Sequence, residues 1–154
     1  MATLFFDSSG LVKRYVAEIG TAWVQSLNAP TAGHDRVIAQ ITGAEMIAAI
    51  TRRLRRGDIA PADAATAISD IEADFANDYF LLETSLARIR EAMMLARIHG
   101  LRGYDAVQLA SALFLRDQCR TLGQPDPIFI TADKELTAAA IVEGLAVDDP
   151  NTHP

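Results

Sequence analysis

The chain has 154 residues, 14 Lys and Arg against 20 Asp and Glu, a net charge of −6 and 50% hydrophobic residues, which suits one domain with a sizeable core and excludes intrinsic disorder. No charge-free apolar run reaches the roughly 18 residues of a membrane span, and the single cysteine, Cys119, excludes an internal disulfide and a Cys-rich zinc site. The start, Met1 to Asp7, has no basic or long apolar leader, so a soluble, cytoplasmic protein is expected; its acidic balance means that nucleic-acid binding needs a local basic patch or bridging cations.

Short β-branched or aromatic runs alternate with stretches of helical periodicity. Thr3 to Phe6 reads as a strand, followed by helical stretches over Ser8 to Ala17 and Thr21 to Leu27. After a loop with Pro30 and Gly33, Arg36 to Ile41 reads as a second strand and Gly43 to Arg56 as a helix stopped by Gly57, a usual C-cap residue. Ala62 to Asn77 is helical, entered through Pro61. Phe80 to Glu83 is a third strand, with helices over Ser85 to His99 and Tyr104 to Gln118. Pro127 to Thr131 is a fourth strand, Lys134 to Glu143 a helix, and Leu145 to Val147 a fifth strand. Residues 1–150 form one expected domain and 151–154 a short polar C-terminal tail. Alternating strands and helices predict an α/β fold, a central parallel sheet of four to five strands covered on both faces. The 27 alanines allow close helix-to-sheet approach. Ligands of such sheets bind outside the carboxyl ends of the strands, so residues there matter most.

Several chemistries are absent. Asp7-Ser8-Ser9-Gly10-Leu11 is neither a dinucleotide fingerprint nor a phosphate-binding loop. His34, His99 and His153 are not spaced as a metal pair, and no nucleophile elbow occurs. What remains is carboxylates at the junctions: Asp7 after the first strand, Glu45 in the first turn after the second, Asp105 opening a later helix and Asp133 past the fourth strand. Each also has a local reading. Asp is a preferred N-cap, Thr42-Gly-Ala-Glu45 matches a capping box, and Asp105-Ala-Val-Gln108 resembles a cap with its Gln partner. On a helical wheel Met46, Ile47, Ile50 and Leu54 form the apolar face, and Glu45 lies opposite with Ala49, Arg52 and Arg56. That face is either solvated surface or the wall of a cleft. From Asp105 to Leu115 the only other polar side chains are Gln108 and Ser111, so this helix should be largely buried. Four converging carboxylates would repel one another unless a cation offset them. Mg²⁺ or Mn²⁺ suits such oxygen ligands and can activate water for attack on a phosphodiester. Ser8 or Ser9 and Thr131 can orient the carboxylates or cap the next helix.

These residues resemble the PIN (PilT N-terminus) domain family and, within it, the VapC-type toxins of bacterial type II toxin–antitoxin modules. The resemblance spans nearly the whole chain and is carried by Phe5 to Tyr15, Ala44 to Ala49 around Glu45, Leu101 to Ala110, and Phe129 to Leu136 with Gly144-Leu145. It implies a three-layer α/β/α sandwich and a Mg²⁺- or Mn²⁺-dependent ribonuclease whose carboxylates are Asp7, Glu45, Asp105 and Asp133, supported by Ser9 and Thr131. It also implies an RNA substrate, a VapB-like antitoxin that blocks the toxin, and a homodimer. Gly10 departs from the alanine common in related sequences, a change read here as bearing on helix stability.

For RNA contact, Arg52 and Arg56 share the Glu45 face, roughly 10 and 16 Å along the axis at ~1.5 Å per residue, with Arg102 close to Asp105 in sequence; Arg88, Arg90 and Arg97 are further candidates. Tyr15, Trp23 and Tyr104 are read as packing rather than base stacking, and His99 as a helix-dipole partner. Two other functions are set against the nuclease. A non-enzymatic PIN-like binding module would use the acidic pocket for docking. An aspartyl-phosphate phosphatase of the haloacid dehalogenase type would use Asp7 as nucleophile, but Ser9 stands where a second Asp is normally required.

Overall fold

The computed structural model describes residues 1–154. Its strands are β1 (Thr3–Phe6), β2 (Asp35–Ala39), β3 (Phe80–Leu82), β4 (Ile128–Ile130) and β5 (Ala146–Asp148). Its helices are α1 (Ser8–Leu11), α2 (Thr21–Asn28), α3 (Ile41–Arg56), α4 (Pro61–Asn77), α5 (Leu86–His99), α6 (Gly103–Thr121) and α7 (Lys134–Val142). The strands form one sheet in the order β3-β2-β1-β4-β5, and every pairing is parallel. No helix is long and apolar enough to cross a membrane.

The period-two alternation of strand side chains divides the core. Leu4, Phe6, Ile38 and Ile130 face a cluster with Met46, Ile50, Ala64 and Ile71 from α3 and α4. Phe5, Val37, Ala39 and Phe129 face the opposite way, against Ala92 and Leu95 of α5, α6 from Ala106 to Leu113, and Leu136 of α7. Phe5 and Phe129 meet edge to face, ring centres 5.4 Å apart. The helices between β1 and β3 lie on one face and those after β3 on the other, as uniform crossover handedness requires when the strand order reverses. This is the expected three-layer α/β/α sandwich. The reversal places β1 between β2 and β4, and ligands of open sheets bind at such a switch point, beyond the strand ends.

Several boundaries differ from the sequence reading, each through a distant contact. The helix expected to run to Ala17 stops at Leu11 and continues only as a 3₁₀ turn, Val12–Arg14. Lys13, 5% exposed, turns its ammonium onto the Ile19 carbonyl and the Asn151 side chain, both at 2.9 Å. Ile41 opens α3 instead of ending β2, because Gln40 N–H closes the strand pairing on Leu82 O. The polar C-terminal residues are docked rather than loose. Asp148 belongs to β5, Pro150 is buried in a 3₁₀ turn, and the His153 ring stacks on Trp23 at 4.0 Å.

Candidate active site

Asp7 follows β1 directly and is 3% exposed. Its side chain caps α1, accepting from Gly10 N–H at 2.8 Å. The Ser9 hydroxyl lies 2.9 and 2.8 Å from the two carboxylate oxygens, and Thr131, just past β4, donates to Oδ2 at 3.0 Å. Ser9 in turn accepts from Ala132 N–H and Thr131 from Asp133 N–H. Both supporting residues therefore touch Asp7 and tie the ends of β1 and β4 together. Burial pushes the Asp7 carboxyl up to about 7, against the opposing pull of the Gly10, Ser9 and Thr131 hydrogen bonds, while the nearby charge of Glu45 adds to the rise.

Glu45 does not act as a capping-box residue. Gln40, not Thr42, occupies the N-cap of α3 and makes no side-chain cap. The Thr42 hydroxyl instead accepts from Gln108 of α6 at 2.8 Å, and the same amide donates to Glu45 Oε2 at 3.2 Å. Glu45 is thus half-buried against α6, while Arg52 and Arg56 farther along the same face are exposed. Burial raises the Glu45 pKa, the nearby Ser8 hydroxyl and the Gln108 amide counter it, and Asp105 raises it further. Its other oxygen, Oε1, is buried without a hydrogen-bond partner.

Asp105 is not a cap either. It is the third residue of α6, behind Arg102 at the N-cap. Its pKa is raised by burial and then by Asp133, lowered by Arg102 and raised again by Glu135. Asp133 keeps the capping role anticipated for it, accepting from Leu136 N–H at 2.8 Å at the start of α7, while its charge reaches Asp105. The four acids thus form an electrostatic chain, Asp7 to Glu45 to Asp105 to Asp133. Glu135 and Gln108 join a site that sequence reasoning built without them. Gln108 showed itself only as a polar residue in an apolar helix, and Glu135 only by standing two positions past Asp133.

The donor set is oxygen throughout, the chemistry of a hard divalent cation, and Glu45 Oε1 is a buried acceptor with nothing to accept from. No three of the His, Cys, Asp or Glu side chains stand close enough to one another to hold an ion directly. That spacing fits Mg²⁺, which keeps several waters and needs only one or two direct carboxylates.

No family model matches the chain. It is 30% identical, over 155 aligned positions spanning the full length of both chains, to Ribonuclease VapC45 of Mycobacterium tuberculosis (strain CDC 1551 / Oshkosh). The same identity and coverage hold for Ribonuclease VapC49 of Mycobacterium tuberculosis (strain ATCC 25618 / H37Rv). The chain belongs to the VapC family. Its fold is shared with PAE2754 from Pyrobaculum aerophilum, at a TM-score of 0.64 and 20% identity over 98% of this chain and 85% of that one. FitAcB from Neisseria gonorrhoeae aligns at 0.59 and 15%, over 96% and 97%.

The arginines of this VapC-family chain divide by position. Arg102 is exposed beside Asp105 and has no ion-pair partner. Arg52 is exposed on α3 and Arg56 pairs with Asp58 at 2.9 Å, two and three turns from Glu45. Tyr15 is a packing residue, bonded to Asp74 and Tyr79 at 2.7 Å, and Trp23 is covered by His153. Tyr104, expected to pack, is 65% exposed next to Asp105 and rims an apolar cavity of about 370 Å³ with Ile41, Met93 and Val107. His99, the last residue of α5 as the helix-end reading requires, also bonds at 2.7 Å to the carboxylate of Glu143 just past α7.

Gly10 bears on the chemistry as much as on the helix. A Cβ there would stand 2.7 Å from Ile130 O and 3.3 Å from Asp7 Oδ1. The missing side chain lets α1 lie against β4, which brings Thr131 within reach of Asp7.

Proposed function

We propose that this chain is a Mg²⁺- or Mn²⁺-dependent endoribonuclease, the toxin of a toxin–antitoxin pair. The observation that carries the reading is the run of acids across the ends of β1, β2 and β4, three of them with pKa values raised by burial and mutual repulsion. A bound cation would offset that burial and repulsion. Asp7 and Glu45, with Asp105 and Asp133 acting through water, would hold the ion. When bound, the ion supplies Lewis-acid stabilisation of the phosphodiester and a more acidic water.

The chain's own residues do the rest. Gly10 N–H, Ser9 and Thr131 fix the Asp7 carboxylate in one orientation, as supporting hydrogen bonds do for ligands. Arg102, exposed beside Asp105, attracts a phosphate of the RNA to the acidic site, where the net charge of −6 would otherwise repel it. The relatives' name, ribonuclease VapC, supports this substrate. It also supports a small VapB-like antitoxin as partner, and a homodimer is proposed with it. The phosphatase reading loses ground because Ser9, in place of the required second carboxyl, spends its hydroxyl on Asp7.

The test is cleavage of a structured RNA pool by purified, antitoxin-free protein in Mg²⁺, Mn²⁺ or EDTA, with Asp105→Asn prepared identically. Cutting that needs metal and vanishes in the variant is the expected result. Equal cutting in EDTA overturns the metal reading, and no cutting in any RNA favours the binding module.

A further inference from the structure

We infer that Gln108 is a positioning residue for the acidic site: it pins one oxygen of Glu45 and thereby leaves the other, buried and without a protein partner, to a bound cation. The inference rests on the metal-dependent reading above.

Gln108 is 0% exposed, in the segment of α6 whose neighbours, Ala106, Val107, Leu109 and Ala110, are core. A buried amide is tolerated only when its polar atoms find partners. Its nitrogen finds two across the sandwich, Thr42 Oγ1 at 2.8 Å and Glu45 Oε2 at 3.2 Å. An ionised carboxylate only accepts, so the amide must turn its NH₂ toward Glu45 and its carbonyl away. The Thr42 hydroxyl accepts from the same NH₂ on the neighbouring turn of α3. The result is asymmetric. Glu45 Oε2 is held, whereas Glu45 Oε1 and Gln108 Oε1, on two side chains in direct contact, are both buried with no protein partner. Native interiors rarely leave a buried acceptor unmet, and a hydrated cation would satisfy Glu45 Oε1.

A purely structural role, stapling α3 to α6, makes a different prediction. Methionine has nearly the same length but donates nothing, so Gln108→Met strands Thr42 Oγ1 and Glu45 Oε2 and should cost about 1–3 kcal/mol under either role; a purely structural role confines the loss to stability and leaves metal affinity unchanged. The positioning role adds ~10–100-fold weaker Mn²⁺ binding, the usual cost of losing a partner of a ligand.

The experiment measures Mn²⁺ affinity by calorimetry on the full chain for wild type, Gln108→Met, Glu45→Gln and the double variant, and the RNA KM alongside. Expected is a loss in Gln108→Met that shrinks below about twofold in the Glu45→Gln background, with RNA KM unchanged. Wild-type affinity in Gln108→Met, or an equal loss in both backgrounds, overturns the inference. A wild type that binds no Mn²⁺ overturns the metal reading and this assignment together, a distinguishable result. If Gln108→Met does not fold, Thr42→Val frees the amide instead. Roughly threefold weaker Mn²⁺ binding is then expected, and unchanged binding overturns the inference.

Discussion

The hydroxyl of Thr131 donates to the carboxylate of Asp7 at 3.0 Å across 124 residues of sequence, so the site is assembled only when β4 has docked beside β1. Thr131→Val removes that donor and strands Asp133 N–H, which the same hydroxyl receives at 3.2 Å. The variant should fold, lose about 1–2 kcal/mol in urea unfolding and cleave RNA ~10–100-fold more slowly. Full activity would mean that Thr131 merely fills space.

The Asp7 pKa sets a pH dependence. Its carboxyl is raised from 3.8 to about 7, mainly by burial, so between about pH 4 and pH 7 the folded chain keeps a proton that the unfolded chain releases. Stability from this group is present below pH 4 and is lost as pH rises through 7. Asp7→Asn removes the titration, and Ser9 and Thr131 can turn their hydroxyls to accept from the new amide. Metal-free Asp7→Asn should therefore melt above wild type at pH 8, with a gain in stability of about 4 kcal/mol at most, a flatter stability profile and no RNA cleavage. A melting point below wild type at pH 8 would contradict the burial cost.

Divalent cations should act unequally on the two proteins. Millimolar Mn²⁺ or Mg²⁺ binds the folded state of wild type and raises its melting temperature, by about 2.7 kcal/mol at a hundredfold excess over Kd. Asp7→Asn should shift much less. Equal shifts in both would place the ion elsewhere.

Gly10→Ala tests the contact between α1 and β4. A methyl group 2.7 Å from the Ile130 carbonyl must push backbone apart, a strain of about 1–3 kcal/mol that exceeds the gain in helix propensity. Chemical denaturation and the cleavage rate should both fall.

Arg102 and Arg56 should separate in RNA binding. Binding of labelled RNA to the inactive Asp105→Asn protein should weaken on Arg102→Ala, with the salt slope falling by about one. Arg56→Ala, whose side chain is occupied by Asp58, should change little.

The sheet, its parallel sense and its covered faces were legible because short apolar strands alternate with amphipathic helices, and those patterns are local. Asp7 and Asp133 were legible for the same reason, as caps standing at strand ends. Glu45 and Asp105 were located but misread in detail. Thr42-Gly-Ala-Glu45 satisfies the pattern of a capping box, yet its hydroxyl answers to Gln108, 66 residues away, a contact no local pattern records. The docking of the C-terminus was hidden likewise, since Asn151 meets Lys13 across 138 residues. Tyr104 was assigned to packing from its apolar surroundings, whereas its place at the first turn of α6 leaves the ring at the rim.

Trp23 is the only tryptophan, and its indole lies against the His153 imidazole at 4.0 Å with the rings 6° from parallel. The imidazole covers one face of the indole, so the chain carries its own optical gauge of whether its last residues are seated. Those residues are fastened by Asn151 to Lys13, six positions beyond Asp7. A tag or cut at the C-terminus that changes the emission would signal a loosened anchor on the same segment that carries the acidic site.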